Sequence, residues 1–244
     1  MLTTIFRREP ETPLDAAYPN LRCSYPGPAP NSMGPGANVA TTYPKEFFVS
    51  IAEQVRTSSR SPWAKLRILE TANVLFYEDG IRTVGVDRLI SESSVTKATF
   101  YKHYGSKDKL IVDYVNGRHK AMVTLVSGAI EGSTGPENAL RTLLHILVTD
   151  IGTAGFRGCA FLNAASEFPD PAHVVRRVVQ THRDWLTETL SVLVGDLGHP
   201  MPGDAADELM LAMDGAQSGG YAGDPIAASA ALTRVFERIV AAAR

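Results

Sequence analysis

The stretch that decides the fold is Val86–Leu110, VDRLISESSVTKATFYKHYGSKDKL. Its first apolar residues, Val86, Leu89 and Ile90, recur at helical spacing, and the polar run SESS then interrupts the pattern. Thr96 is a suitable N-cap for a second helix, because its side-chain oxygen can accept a backbone N–H of the first turn. The stretch therefore predicts two short helices joined by a tight polar turn.

The second short helix is predicted to have two unlike faces. Phe100 and Tyr104 are four residues apart and face inward, and Val95 fills the space between the two helices. The residues expected to face outward are Lys97, Ala98, Tyr101 and Lys102. A short helix with small and basic residues on its outer face fits the major groove of B-DNA, which admits one helix.

The chain around this stretch predicts further helices and no strand, so the fold class is all-α. Ser61-Pro62 is a good helix start, and Gly80 a good stop. Apolar residues at helical spacing continue to the C-terminus, interrupted by Gly- and Pro-rich breaks. The predicted helices are 62–79, 106–130, 136–153, 159–167, 171–195, 204–221 and 226–243.

The first 60 residues have a different composition. Eight of the fifteen prolines lie within residues 1–44, without a helical period, so we expect residues 1–60 to be a disordered extension with one short helix at 45–56. Two interpretations remain open for residues 1–44: a flexible arm, or a translation start at Met33 or later. We expect a DNA-binding domain at 61–107 and a ligand-binding and dimerisation domain at 108–244.

Charge is distributed unevenly along the chain. Residues 60–110 carry nine Lys or Arg and six Asp or Glu, whereas the whole chain has a net charge of −2. A locally basic segment on an acidic body suits a modular DNA-binding protein. Two cysteines far apart in sequence do not indicate a disulfide framework, and no apolar run is long enough to cross a membrane. We therefore expect a cytoplasmic protein.

Two segments, TKATFYKHY at 96–104 and SKDKL at 106–110, resemble the signature of TetR-family (tetracycline-repressor-like) regulators. The resemblance covers residues 62–112, and GCAFLNAASEF at 158–168 is similar to one branch of the family. It implies a DNA-binding transcriptional regulator, by family habit a repressor, whose DNA affinity responds to a small-molecule effector. The alternative function is a helical small-molecule-binding protein that does not bind DNA.

The resemblance also implies roles for single residues. Lys97, Ala98 and Thr99 match the family's base-facing positions. The positions that match phosphate contacts are Tyr101, His103 and Lys107, with Thr96 a candidate whose capping role is favoured over base reading. The sequence departs from the family at two positions, which weakens the DNA contacts expected near the first of the two short helices. Val84-Gly85 stand where the family has Thr-Thr or Thr-Ser, and Ser94 replaces a turn glycine.

The body shows no catalytic motif and no histidine pair at metal-ligand spacing. We therefore predict no enzyme activity, cofactor or metal. The resemblance implies an effector pocket, for which the candidate walls are Met122, Leu143, Leu147, Phe156, Phe161, Asn163, Phe168 and Trp185. Asn163 and Glu167 can either orient a ligand or brace helices, and packing is favoured over redox sensing for Cys159.

The last two predicted helices are rich in small residues and are expected to pair with a symmetry mate as a four-helix bundle. The candidate interface residues are Leu209, Ala212, Met213, Ala216, Val235 and Ile239. A homodimer with two DNA-binding heads predicts a pseudo-palindromic operator in double-stranded DNA.

Overall fold

A computed structural model describes residues 61–244, so the predictions for residues 1–60, including the helix at 45–56, lie outside the described residues. Over the described range the protein is all-α, as predicted, with nine helices and no strand. The helices are α1 (Ser61–Asp79), α2 (Val86–Glu92), α3 (Lys97–Tyr104), α4 (Lys107–Glu131), α5 (Pro136–Ile151), α6 (Ala160–Glu167), α7 (Val174–Asp196), α8 (Pro202–Ala222) and α9 (Pro225–Ala242).

The helix ends follow local chemistry. Gly80 adopts a φ of 90° directly after α1, which is the left-handed conformation expected of a glycine stop. Asp224 caps α9 by accepting the N–H groups of Ile226 and Ala227 at 2.8 and 3.1 Å. Helix α7 begins three residues later than predicted, because His173 is its N-cap and accepts the N–H of Val175 at 3.3 Å.

One apolar core runs from the helix-turn-helix into the body. It joins buried residues of α1, α2 and α3 to buried residues of α4, α6 and α7. Phe76 of α1 and Tyr114 of α4 meet edge to face, with ring centroids 5.4 Å apart. The head, which comprises α1 to α3, is therefore packed on the body, which comprises α4 to α9, through a shared core.

A second core lies between α5, α7, α8 and α9, where Leu190, Leu209 and Phe236 are buried. Helices α8 and α9 are joined by the short connection Gly223–Asp224. Gly220 permits a close approach here, because a Cβ on it would stand 2.5 Å from Cγ2 of Ile151 in α5. No helix within residues 61–244 is both long and apolar enough to span a membrane.

Candidate nucleic-acid interface

The turn between α2 and α3 is built from two serines in different conformations. Ser93 is buried, and its hydroxyl donates to the carbonyl oxygen of Leu89 at 2.5 Å. Ser94 is exposed and has a φ of 52°, the left-handed region in which a Cβ costs energy and glycine does not. Ser94, which stands where the family has a turn glycine, therefore occupies a left-handed position, and the half-buried Val95 follows it.

Thr96 is the N-cap of α3, as predicted. Its side-chain oxygen accepts the N–H of Thr99 at 3.1 Å, and the two threonine hydroxyl oxygens are 2.8 Å apart. The Thr99 hydroxyl is thus already bonded within the first turn. The side chains left to project freely from that turn are Lys97 and Ala98, which are both exposed.

The two predicted faces of α3 are confirmed. Phe100 is fully buried and Tyr104 nearly so, and the Tyr104 hydroxyl donates to the carbonyl oxygen of Lys65 in α1 at 3.2 Å. The exposed side chains are Lys97, Ala98, Tyr101 and Lys102. Tyr101 retains 44% exposure while its ring rests edge-on against Phe100 at 5.4 Å, so its hydroxyl can reach outward from a fixed ring.

His103 and Lys107, the other two phosphate candidates, are half-buried. Burial, with a smaller contribution from Lys102, lowers the pKa of His103, which favours the neutral imidazole in the protein without DNA. Burial also lowers the pKa of Lys107, and Glu167 opposes part of that change. The Lys107 ammonium lies 5.8 Å from the centroid of Phe76, at the junction with the body.

The start of α2 lacks a side-chain cap. Gly85 is its N-cap residue and makes no capping hydrogen bond, as expected from the departure at this position. Arg88, which the sequence analysis did not single out, forms ion pairs of 2.7 Å with both Asp79 and Glu92 on the surface. The pair with Asp79 connects α2 to α1, and the pair with Glu92 lies within α2.

The geometry of this head matches known regulators. The model of the family described as bacterial regulatory proteins, tetR family, matches residues 68–114, from within α1 to the first turns of α4. A TetR-family transcriptional regulator from Streptomyces coelicolor is 37% identical, with a TM-score of 0.71, and the match covers 74% of this chain and 95% of that one. The chain belongs to the TetR family.

Other solved structures agree with this assignment. A TetR-type transcriptional regulator from Streptomyces avermitilis is 25% identical to this TetR-family chain, with a TM-score of 0.63, covering 72% of this chain and 97% of the other. A TetR-family regulator from Agrobacterium tumefaciens, at 20% identity and a TM-score of 0.67, shares the fold over 73% of this chain and 98% of its own. No curated protein matches the chain.

The predicted pocket residues of this TetR-family chain do not form one group. Phe161 and Phe168 belong to the core shared with the head, Leu143 and Trp185 pack against the second core, and Met122 is half-buried on α4. The other two apolar candidates, Leu147 and Phe156, pack together around Ile151. Two of the candidates, Phe161 and Trp185, lie against the same residue, His182.

A half-buried histidine, His119, and a buried one, His182, connect Phe161 and Trp185, and sequence reasoning missed their pairing. Nδ1 of His119 in α4 lies 3.2 Å from Nδ1 of His182 in α7. Phe161 stacks face to face on His182 at 3.5 Å, and Trp185 meets His119 edge-on at 5.4 Å. Burial lowers the pKa of His182 to about 3 and also lowers that of His119, so both rings are neutral and one Nδ1–H donates to the other Nδ1.

Asn163 and Glu167 of α6 brace the structure on the segment before the helix and on the head, respectively. The Asn163 amide donates to the carbonyl oxygen of Arg157 at 2.8 Å, and the Glu167 carboxylate accepts two backbone N–H groups of the head. Burial raises the pKa of the Cys159 thiol, which disfavours the reactive thiolate and fits a packing role. No group of three or more metal-ligating side chains occurs among residues 61–244.

The predicted dimer residues separate into two sets. Leu209 and Ile239 are buried inside the chain itself, where they pack among its own helices. Ala212 and Val235 line, together with Ala216, an open groove of about 450 Å³ between α8 and α9, and Met213 is half-buried. The large apolar side chains exposed on these helices are Leu211, Tyr221 and Ile226.

Proposed function

We propose that this TetR-family chain is a homodimeric repressor, which binds a pseudo-palindromic operator in double-stranded DNA and releases it when a small-molecule effector binds the helical body. The observation that carries the proposal is the outer face of α3, where Lys97, Ala98 and Tyr101 are exposed on a capped helix anchored by Phe100. Lysine can donate to guanine edges, and an alanine methyl can contact a thymine methyl. Tyr101 is a phosphate contact in this proposal.

Dimerisation supplies the second recognition helix. Leu211 is 70% exposed and Ile226 80% exposed at the surface of α8 and α9, where the groove is lined by small residues. Covering such a face with a second copy removes apolar surface from water and supports a four-helix bundle. Two heads related by a two-fold axis then address half-sites one helical turn apart, about 34–36 Å.

Effector control requires two orientations of the heads with different DNA affinity. A ligand that binds the DNA-incompatible orientation more tightly shifts the population and releases the operator. The aromatic cluster of Phe161, His119, His182 and Trp185 favours this region of the body as the effector site, because it has two imidazole hydrogen-bonding groups within an apolar setting. The protein acts in this proposal by binding, without turnover.

The test is selection of a binding sequence from random double-stranded DNA, followed by affinity measurements on the selected operator and on a scrambled duplex. Lys97→Ala is expected to weaken operator binding by about 10- to 100-fold and scrambled-duplex binding much less, because a base contact carries sequence information. Tyr101→Phe is expected to weaken binding to both duplexes by a similar factor, because a phosphate contact carries no sequence information.

Arg177→Ala is the matched control, since it removes one positive charge from an exposed position on α7, outside both α3 and the proposed dimer helices α8 and α9. It is expected to leave both affinities unchanged. Equal affinity of the wild type for every duplex would contradict sequence-specific regulation and favour a body that binds small molecules only.

A further inference from the structure

The last residue of α6 is bonded to the DNA-binding head. Oε1 of Glu167 accepts the N–H of Ile81 at 2.8 Å, and Oε2 accepts the N–H of Arg82 at 2.6 Å. Hydrogen bonds to an ionised acceptor are short and strong, and two of them fix the plane of the carboxylate as well as its position. Both N–H groups belong to the turn between α1 and α2, so the body holds the segment that leads into the helix-turn-helix.

The turn also contacts the end of α6 through side chains. Gly80 has a φ of 90°, and a Cβ on it would stand at an ordinary contact distance of 3.5 Å from Oε1 of Glu167. The guanidinium of Arg82 lies 5.5 Å from the ring centroid of Phe168, the residue after Glu167. The head and the end of α6 therefore meet through hydrogen bonds and a cation–π contact.

A second tether joins the head to the start of α6. The Tyr77 hydroxyl in α1 donates to the carbonyl oxygen of Gly158 at 3.0 Å and accepts the N–H of Arg157 at 2.9 Å. The segment containing Arg157 and Gly158 leads directly into α6. The eight-residue helix is thus bonded to α1 or its following turn at both ends.

Helix α6 also contacts the interior of the body. Phe161 is stacked at 3.5 Å on His182, which is paired with His119. Helix α6 therefore contacts both the aromatic cluster and the head. A displacement of Phe161 would be transmitted to both tethers, because a helix of two turns moves as a rigid unit.

We propose that Glu167 is a positioning residue for DNA binding: its carboxylate sets the angle of the head on the body, and thereby the half-site spacing that the dimer accepts. The inference rests on the proposed function. It predicts that weakening this tether broadens the range of accepted spacings, whereas a residue that only maintains the fold would alter all affinities alike.

The test measures affinity for the selected operator and for versions with one or two base pairs inserted or removed at its centre. The wild type is expected to prefer one spacing by at least about tenfold. In Glu167→Ala the best affinity should fall about tenfold and the preference should shrink below about threefold, since couplings of this kind span about 5- to 150-fold. Glu167→Gln keeps the shape of the side chain and one acceptor oxygen, so its spacing preference should lie between those of the wild type and Glu167→Ala.

The matched control is Glu188→Gln, the same chemical change at an exposed position of α7, and it should retain the wild-type spacing profile. If Glu167→Ala fails to fold, as judged by circular dichroism, then Glu167→Gln and Tyr77→Phe decide the result. Folded variants that keep the wild-type preference, or lose affinity equally at every spacing, would overturn the inference while leaving the proposed function intact. A wild type that selects no DNA sequence would remove the proposed function, and this inference with it.

Discussion

Replacing Ser94 with glycine is expected to stabilise the protein, although it removes a side chain. Ser94 has a φ of 52°, and the left-handed conformation costs a residue with a Cβ about 1–2 kcal/mol. Glycine loses more backbone freedom on folding, which offsets about 0.4–1 kcal/mol. The side chain is exposed, and the Arg67 contact at 3.5 Å is to the backbone oxygen, so neither packing nor that contact is lost. The net expectation is a gain of about 0.5–1 kcal/mol.

The neighbouring serine is a matched control with the opposite sign. Ser93 has a φ of −78°, which any residue adopts, and its buried hydroxyl bonds to the carbonyl oxygen of Leu89. Ser93→Gly therefore gains no relief of strain, loses a hydrogen bond and adds backbone freedom, which together cost about 1–2 kcal/mol.

The assay for both serine variants is urea unfolding at one fixed protein concentration, because dimerisation makes apparent stability depend on concentration. An unchanged slope with a shifted midpoint reports a change in stability alone. Operator affinity of Ser94→Gly should equal that of the wild type. If Ser94→Gly destabilised the protein as much as Ser93→Gly, the strain assigned to this turn would be refuted.

Two further predictions concern half-buried positions. Burial raises the pKa of Glu70 from 4.5 to about 7, and its Oε1 has no hydrogen-bond partner among the described residues. The free energy of unfolding should therefore fall as the pH rises from about 4.5 through 7, because the folded protein binds the proton more tightly than the unfolded chain. Glu70→Gln should raise the free energy of unfolding at pH 8 by about 1 kcal/mol after solvent screening, and leave it unchanged near pH 4; equal effects at both values would contradict this. Gly220→Ala should cost about 1–3 kcal/mol through the 2.5 Å approach to Ile151, which thermal unfolding would detect. Gly219→Ala, whose Cβ would meet only ordinary contact at 3.7 Å, should be tolerated, and equal losses would contradict the packing argument.

The conformation of α3 and its buried face could be predicted from sequence because they depend on local chemistry. The cap at Thr96 and the left-handed turn at Ser94 depend on backbone geometry within a few residues. The burial of Phe100 and Tyr104 follows from their spacing of four on one helix face. The family signature lies in this same short segment, which is why the DNA-binding head was predictable as a unit.

The body was less predictable, because its important contacts join residues that are distant in sequence. His119 and His182 are 63 residues apart, and Glu167 bonds to N–H groups 85 and 86 residues before it. The pattern of a helix shows which face is apolar, without specifying its neighbour or the angle at which they cross. Leu209 was for the same reason expected at a dimer surface, yet it is buried against the chain's own helices.

What the sequence by itself determined is therefore the all-α class, the helix-turn-helix and the outward face of α3, because caps, turns and helical periodicity act over a few residues. What only the tertiary structure decided is how α6 connects the body to the head. The tethers at Glu167 and Tyr77 exist because packing of the shared core brings α1 and α6 within hydrogen-bonding distance. Side-chain direction at such a junction is set by helix packing, which no local pattern encodes.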